Sequence, residues 1–271
     1  KCDWSSDVCS SDLTAVDNGL LAVEGPDGAL LGAGGITLST GARLLLKNNS
    51  VTNNGNRLSD SATVTMKGGV LEYAHAGGAA NYSETAGPLS VQSGSNTIAT
   101  ARADASQTST LTFASLARTG GTVNFAGEGV GGADGRNRIL FSSAPTLANG
   151  LIGPWAVING SELATYDGTL GVTPYTGYAD LAARGPDSVI TNDATLNARI
   201  NLPGTDGPIT LGTSPISQVY TLLQNSDTPA TVTTTGATFQ ASAIVLGAGK
   251  ASLTIGAAQG DGALTALAAG G

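Results

Sequence analysis

"ITLSTGARLLL", Ile36 to Leu46, carries the decisive pattern: a short β-run, a turn of small residues, then a second β-run. Apolar and polar residues alternate at period two on both sides of the turn, so each run offers one face to a core. The unit returns as "VTMKGGVLEY" at Val64 to Tyr73, "LSVQSGSNTIAT" at Leu89 to Thr100 and "LTFASLARTGGTVNF" at Leu111 to Phe125. A late copy, "IVLGAGKASLTI", runs from Ile244 to Ile255. Helical periodicity is hard to find.

Taking Leu44, Val64, Leu89 and Leu111 as equivalent gives steps of 20, 25 and 22 along the chain (44 to 64, 64 to 89, 89 to 111). An imperfect period of that length is what stacked β-coils produce, and it predicts roughly 11 turns. One coil of short strands buries only one face of each strand and cannot fold alone. Stacked coils hydrogen-bond to one another and align their Leu, Ile and Val into internal ladders. Leu44, Leu46, Val64, Met66, Leu89, Val91, Leu111 and Phe113 form four i, i+2 pairs and are expected to point inward. Gly and Asn supply the tight corners, with Asn48-Asn49 and Asn53-Asn54 placed at two of them.

Composition agrees with thin, regular packing. The chain has 271 residues and 39 Gly, is 41% hydrophobic, but is only 4% aromatic and 12% charged. The charged share is about half the usual value of roughly 25%, and small aliphatic residues must therefore build the core. The net charge is −8 with no basic run, which argues against a nucleic-acid partner, since such binding needs a cationic stripe. No apolar run approaches the roughly 20 residues of a membrane helix, so no membrane insertion is expected.

The opening stretch, Lys1 to Leu13, reads "KCDWSSDVCSSDL"; it differs from the rest and holds both cysteines, Cys2 and Cys9. Two Cys this close, with no His nearby, leave zinc undercoordinated. Asp3 to Leu13 instead matches, letter for letter, a translation of the end of a common sequencing-library adapter. Residues 1–13 are accordingly expected to be read-through of adapter DNA, with no native fold. Domain organisation then reads as β-helix coils over 14–130, an irregular excursion over 131–185, and further coils over 186–271.

The excursion gathers Pro145, Pro154 and Pro174 with Phe141, Trp155, Tyr166, Tyr175 and Tyr178, five of the twelve aromatics. "AVINGSELATYDG", Ala156 to Gly168, suggests a β-hairpin insertion there. Any glycan contact is expected on Trp155, Tyr166, Tyr175 and Tyr178, whose rings could stack on a sugar face. The competing reading makes the same rings a satellite core that pins the excursion down.

Other motifs point to structure. "GEGVGG" (Gly127, Gly129, Gly132) imitates a dinucleotide fingerprint, but a strand-like "RNRILF" follows where a helix is required. His75, the only histidine, has no partner for metal or triad chemistry and reads as a coil corner. Glu72, Glu84, Asp104 and Glu128 are scattered, whereas glycoside cleavage needs two carboxyls roughly 5–10 Å apart. Arg136 and Arg138 share a strand face and read as a solvated edge or partners of Asp134, with recognition of an acidic glycan as the alternative. No catalytic residue, cofactor or metal site is expected.

The stretches "LLLKNNSVTNNGNRLSDSATVTMKGGVLEY", "NYSETAGPLSVQSGSNTI", "STLTFASLARTGGTVNF" and "RNRILFSSAPTLANGLIGPWAVINGSELATY" occur in that order. Together they resemble the passenger regions of bacterial autotransporter-associated β-strand repeat proteins, directly over nearly half of the chain. The resemblance implies an all-β, right-handed parallel β-helix (solenoid) with an irregular insertion. It also implies a secreted or surface-displayed, non-enzymatic stalk or adhesin, with an extracellular glycan or matrix as partner. A polysaccharide-cleaving β-helix is the alternative. The chain ends in "ALTALAAGG" without the strand pattern of a membrane barrel. The outer-membrane anchor is therefore expected outside this stretch of sequence, with truncation at both ends.

Overall fold

The computed structural model describes residues 13–32, 34–48, 54–77, 81–185, 188–212 and 215–267. It is all-β, with mostly parallel sheets stacked as a β-solenoid of about nine turns and no helix among the described residues. The prediction for residues 1–13 lies outside the described residues except at Leu13, which is exposed. Asn49 and Asn53 also lie outside them.

Contacts divide the chain into two compact units. One comprises residues up to Thr146 with Trp155–Asn159 and Ala164–Pro174; the other comprises Leu147–Pro154, Gly160–Leu163 and Tyr175 onward.

In the first unit a turn has three sides. The first side stacks Thr14–Val16, Ile36–Ser39, Val64–Lys67, Leu89–Ser93 and Leu116–Arg118. The second stacks Gly19–Val23, Ala42–Asn48, Val70–His75, Ser95–Ala101, Thr122–Ala126 and Ala156–Ile158. The third stacks Asn81–Ala86, Thr108–Phe113 and Asn137–Phe141. Parallel register pairs Leu44 with Leu71, Leu71 with Ile98, and Ile98 with Phe125. Each step is 27 along the chain, the same separation that sets Thr108 against Asn81 on the third side.

This corrects the assumed equivalence. Leu44 lies on the second side, Val64 and Leu89 on the first, and Leu111 on the third. Alternation marks an inward face but cannot say which side of the coil carries it. Mixed sides shortened the apparent period, and about nine turns replace roughly 11. The inward expectation itself holds: all eight named residues are fully buried.

The corner between the first and second sides shows why glycine recurs. Gly68, Gly94 and Gly121 all have positive φ and succeed one another turn by turn. A Cβ on Gly94 would sit 2.7 Å from Gly68 Cα, and one on Gly121 would sit 2.6 Å from the Gly94 carbonyl oxygen. Only a residue without a side chain fits that stack. Buried Asn96 staples the same corner: its Oδ1 accepts the Gly68 N–H at 2.6 Å, and its Nδ2 donates to Ser93 and Thr122 carbonyls.

In the second unit each turn has two sides. The long side stacks Ala179–Ala182, Asp193–Leu202, Ile216–Gln224, Ala237–Leu246 and Gly262–Ala266. The short side carries Val189–Ile190, Thr210–Leu211, Ala230–Val232 and Leu253–Ile255, with an Ile209–Val232 bridge joining its two halves. Its core is aliphatic apart from Phe239: Ile190, Ile200, Ile209, Val219, Leu222 and Val232 lead it.

The span 131–185 is more regular than expected. Asn137–Phe141 continues the third side, and Ala156–Ile158 continues the second by pairing in parallel with Val123–Phe125. Ala156–Ile158 and Glu162–Asp167 are neighbours in one sheet, as the hairpin expected over Ala156 to Gly168 requires, and Glu162–Asp167 pairs antiparallel with Gly171–Pro174 just beyond. Ala179–Ala182 already belongs to the long side of the second unit. Prolines and aromatics made this text look irregular, although its short β-runs keep the alternation that stacking needs.

Candidate functional site

The four aromatic positions divide between the units. In the first, the Arg118 guanidinium lies 5.0 Å from the centre of the Trp155 ring, over its face. The Tyr166 hydroxyl donates to the Phe141 carbonyl and accepts the Phe141 N–H, both at 2.9 Å. In the second, Tyr175 donates to the Gly177 carbonyl at 3.0 Å, and Tyr178 accepts the Leu163 N–H at 2.9 Å. The Tyr175 and Tyr178 rings meet edge to face, 4.9 Å apart at 85°. All four side chains are half-buried, and the two rings that touch are perpendicular rather than coplanar.

Around Tyr178 a charged cluster forms. Arg199 on the long side grips Asp180 with two nitrogens, at 2.7 and 3.0 Å, and lies 3.5 Å from Glu162. Its guanidinium also stacks over Tyr178 at 4.5 Å. Asn225 Nδ2 donates to Glu162 Oε1 at 2.6 Å. Burial pushes the Tyr178 hydroxyl well above its ordinary pKa, so it stays a neutral partner.

A second group of polar side chains lies inside the first unit, where the sequence pattern gives no sign that they meet. Arg57 is fully buried. Its guanidinium donates to Asn48 Oδ1 and to the carbonyls of Gly25 and Gly28, at 2.8 to 2.9 Å. Glu84 Oε1 accepts the backbone N–H of Arg57 at 2.9 Å and of Leu58 at 2.8 Å. Asn48 Nδ2 donates to the Tyr73 hydroxyl at 3.1 Å. These contacts span three consecutive turns, so one buried cation and one buried carboxylate depend on the same stack.

Next to it, His75 ends the second-side strand Val70–His75, at the corner the sequence indicated. Its ring stacks on Tyr82 at 4.1 Å and 9°, and meets Tyr73 edge-on at 4.5 Å. His75 Nε2 lies 2.8 Å from Ser109 Oγ. Thr100 Oγ1 donates to Asn137 Oδ1 at 2.6 Å, and Asn137 Nδ2 donates to the Glu128 carbonyl at 2.8 Å. Ser109, Thr100 and Asn137 are all at most 1% exposed.

Burial dominates the electrostatics. It lifts Glu84 to about 7, against the pull of two backbone N–H groups and Arg57. It lowers His75 to about 4, leaving the imidazole neutral at ordinary pH. It also lowers Arg57 and raises Tyr73 from their usual values.

The remaining expectations resolve individually. Glu72 pairs with Arg43 on the outside, whereas Glu84 points inward, so these two carboxylates share no groove. Asp104 and Asp134 each hold a local turn by accepting a backbone N–H two residues on. Arg138 reaches Thr110, and Arg136 reaches the Ala105 carbonyl. The "GEGVGG" glycines form a loop leading into the strand Asn137–Phe141. Among the described residues, no three His, Cys, Asp or Glu side chains gather as for a metal.

Comparison with protein-family models, curated proteins and solved structures finds no match to this chain.

Proposed function

We propose that this protein is a non-enzymatic, surface-displayed or secreted β-solenoid that serves as a structural stalk or adhesive module of the autotransporter-passenger kind. The observation that carries this reading is the stacking itself. Each turn's backbone is satisfied by its neighbours, so turns add structure without needing a new core. The perpendicular Tyr175–Tyr178 pair and the backbone-bound Tyr166 hydroxyl favour packing over sugar stacking at those rings. Any adhesion to glycan or matrix then works through broad polar strand faces.

The test uses the purified chain on beads, offered soluble and immobilised extracellular polysaccharides. Retention of beads with no release of new reducing ends is the expected result. Release of reducing ends would make the protein a polysaccharide-cleaving β-helix and overturn the proposal. No retention on any glycan or matrix protein would remove the adhesive role and leave the stalk.

A further inference from the structure

We propose that Ser109 and Asn137 react with each other to form an ester bond between successive turns of the first unit, with His75 acting as the base. The proposal stands on internal geometry and holds whatever the outer surface binds.

Four observations converge. Ser109 and Asn137 are direct register partners on neighbouring parallel strands, which run about 4.8 Å apart. Both side chains point inward and are completely buried, so the nucleophile and the amide lie on adjacent rungs away from solvent. On the other side of Ser109 its register partner is Tyr82, and the Tyr82 ring holds the His75 imidazole in a stack. That stack places Nε2 2.8 Å from Ser109 Oγ, the nucleophile–base contact that activates a hydroxyl. The base role requires the tautomer with the proton on Nδ1, a buried nitrogen with no hydrogen-bond partner, which leaves Nε2 to accept from the hydroxyl.

The amide is prepared as an electrophile. Thr100 Oγ1 donates to Asn137 Oδ1 at 2.6 Å, where negative charge develops when the carbonyl carbon is attacked. The Glu128 carbonyl holds Nδ2 at 2.8 Å, which fixes the plane of the amide. Confinement on adjacent rungs replaces a bimolecular encounter with an intramolecular one.

The step balances without a co-reactant. The Ser109 O–H bond breaks and its proton passes to His75 Nε2, while Oγ bonds to Asn137 Cγ. The Cγ–Nδ2 bond then breaks, His75 returns the proton to the departing nitrogen, and ammonia leaves. Nothing is oxidised or reduced. Exclusion of water from the buried site disfavours hydrolysis of the amide to Asp.

Intact-mass measurement and peptide mapping of the purified full chain decide the matter. The expected chain is lighter than its sequence by one ammonia, and digestion yields one linked peptide joining the Ser109 and Asn137 segments. Ser109→Ala and His75→Phe should each restore the full mass and a free Asn137 amide; Phe keeps a ring to stack on Tyr82. Thr100→Val should slow formation by about 10²-fold in chain that has been refolded from denaturant. A wild-type chain of full mass, with an unlinked Asn137 peptide after prolonged incubation, overturns the proposal whether or not any variant folds. So does an ammonia loss that persists in Ser109→Ala, or Asn137 found as Asp.

Discussion

The two units solve one packing problem with different numbers of sides. Three sides per turn enclose a wide interior in the first unit, where Tyr73, Tyr82, Phe113 and Phe125 are buried together with Arg57, Glu84 and His75. Two sides per turn leave the second a narrow interior, filled mainly by Ile, Val, Leu and Ala. Repeat length follows the same logic. Three strands and three corners set rung partners 27 apart in number, as Thr108 is from Asn81. On the long side, Asp180 and Arg199 are 19 apart, Gln218 and Gln240 are 22 apart, and Gln240 and Thr265 are 25 apart. A wide coil can house charge only if successive turns supply the partners; a narrow coil has no room for it.

The largest effect is expected from removing the buried cation of the first unit. Arg57→Ala deletes bonds to the Gly25 and Gly28 carbonyls and to Asn48, and leaves Glu84 without its neighbouring charge. Removing one of two interacting buried charges typically costs about 3–5 kcal/mol. Native-state hydrogen exchange should show the loss on amides of the first three turns, with the second unit's protection kept. An Arg57→Met, Glu84→Gln double variant should recover much of it, because no charge is then stranded. Equal loss of protection in both units would show that the polar interior is not a local feature.

Much of this was legible in the text and some was not. Leu44, Val64, Leu89 and Leu111 each announced an inward face through simple alternation, and all four are buried. What alternation cannot encode is the side, so the third strand of each turn went uncounted. The true offset was present in Leu71, Ile98 and Phe125, and it also sets Asn48 against His75 and Ser109 against Tyr82. Arg57 escaped notice because nothing local marks it as buried: its partners come from Gly25, Gly28 and Asn48, residues of separate strands and loops. Ser109, Thr100 and Asn137 look like ordinary small polar residues until the register brings them together.

Titration sharpens the contrast next. Glu84 sits at about 7 against an ordinary 4.5, so its contribution is complete below pH 4.5 and is lost as pH rises through 7. His75 sits at about 4 against 6.5, so its contribution is complete above pH 6.5 and is lost as pH falls through 4. Each displacement corresponds to about 3 kcal/mol over its full window, with opposite sign. The first unit should therefore change little in stability between pH 4.5 and 6.5. Glu84→Gln should make it gain stability as pH rises across that window, and His75→Phe should make it lose stability. Denaturant titrations at several pH values check both slopes. Parallel slopes in the two variants would mean that the groups do not act independently.

Arg199 gives a smaller effect in the second unit. Its two-pronged grip on Asp180 and its stack on Tyr178 are only partly shielded, the Arg199 side chain being 18% exposed. Hydrogen bonds to a charged partner in such a setting are worth about 1.5–3 kcal/mol. Arg199→Ala should lower the second unit's stability by that order and free the Tyr178 ring. Arg199→Lys should recover little, since a single ammonium cannot reproduce the fork.

The smallest expected effect lies on the outside of the first unit, where Arg43 and Glu72 form a pair on adjacent rungs of the second side. It is chemically the same kind of pair as Arg199 with Asp180, but Arg43 is 45% exposed and water competes for both partners. Exposed pairs contribute about 0.2–1 kcal/mol, and salt screens them over roughly 10 Å at about 0.1 M. Arg43→Ala should thus shift the denaturation midpoint barely above experimental scatter, and the remaining difference should vanish at about 1 M salt. The Arg57→Ala loss should survive the same salt almost unchanged, because the Arg57 side chain is fully buried and its partners are uncharged backbone carbonyls and an amide. Salt sensitivity, more than size, then separates an arginine that decorates a solenoid from one that holds three of its turns together. If Arg43→Ala proves as costly and as salt-resistant as Arg57→Ala, burial is not what distinguishes them.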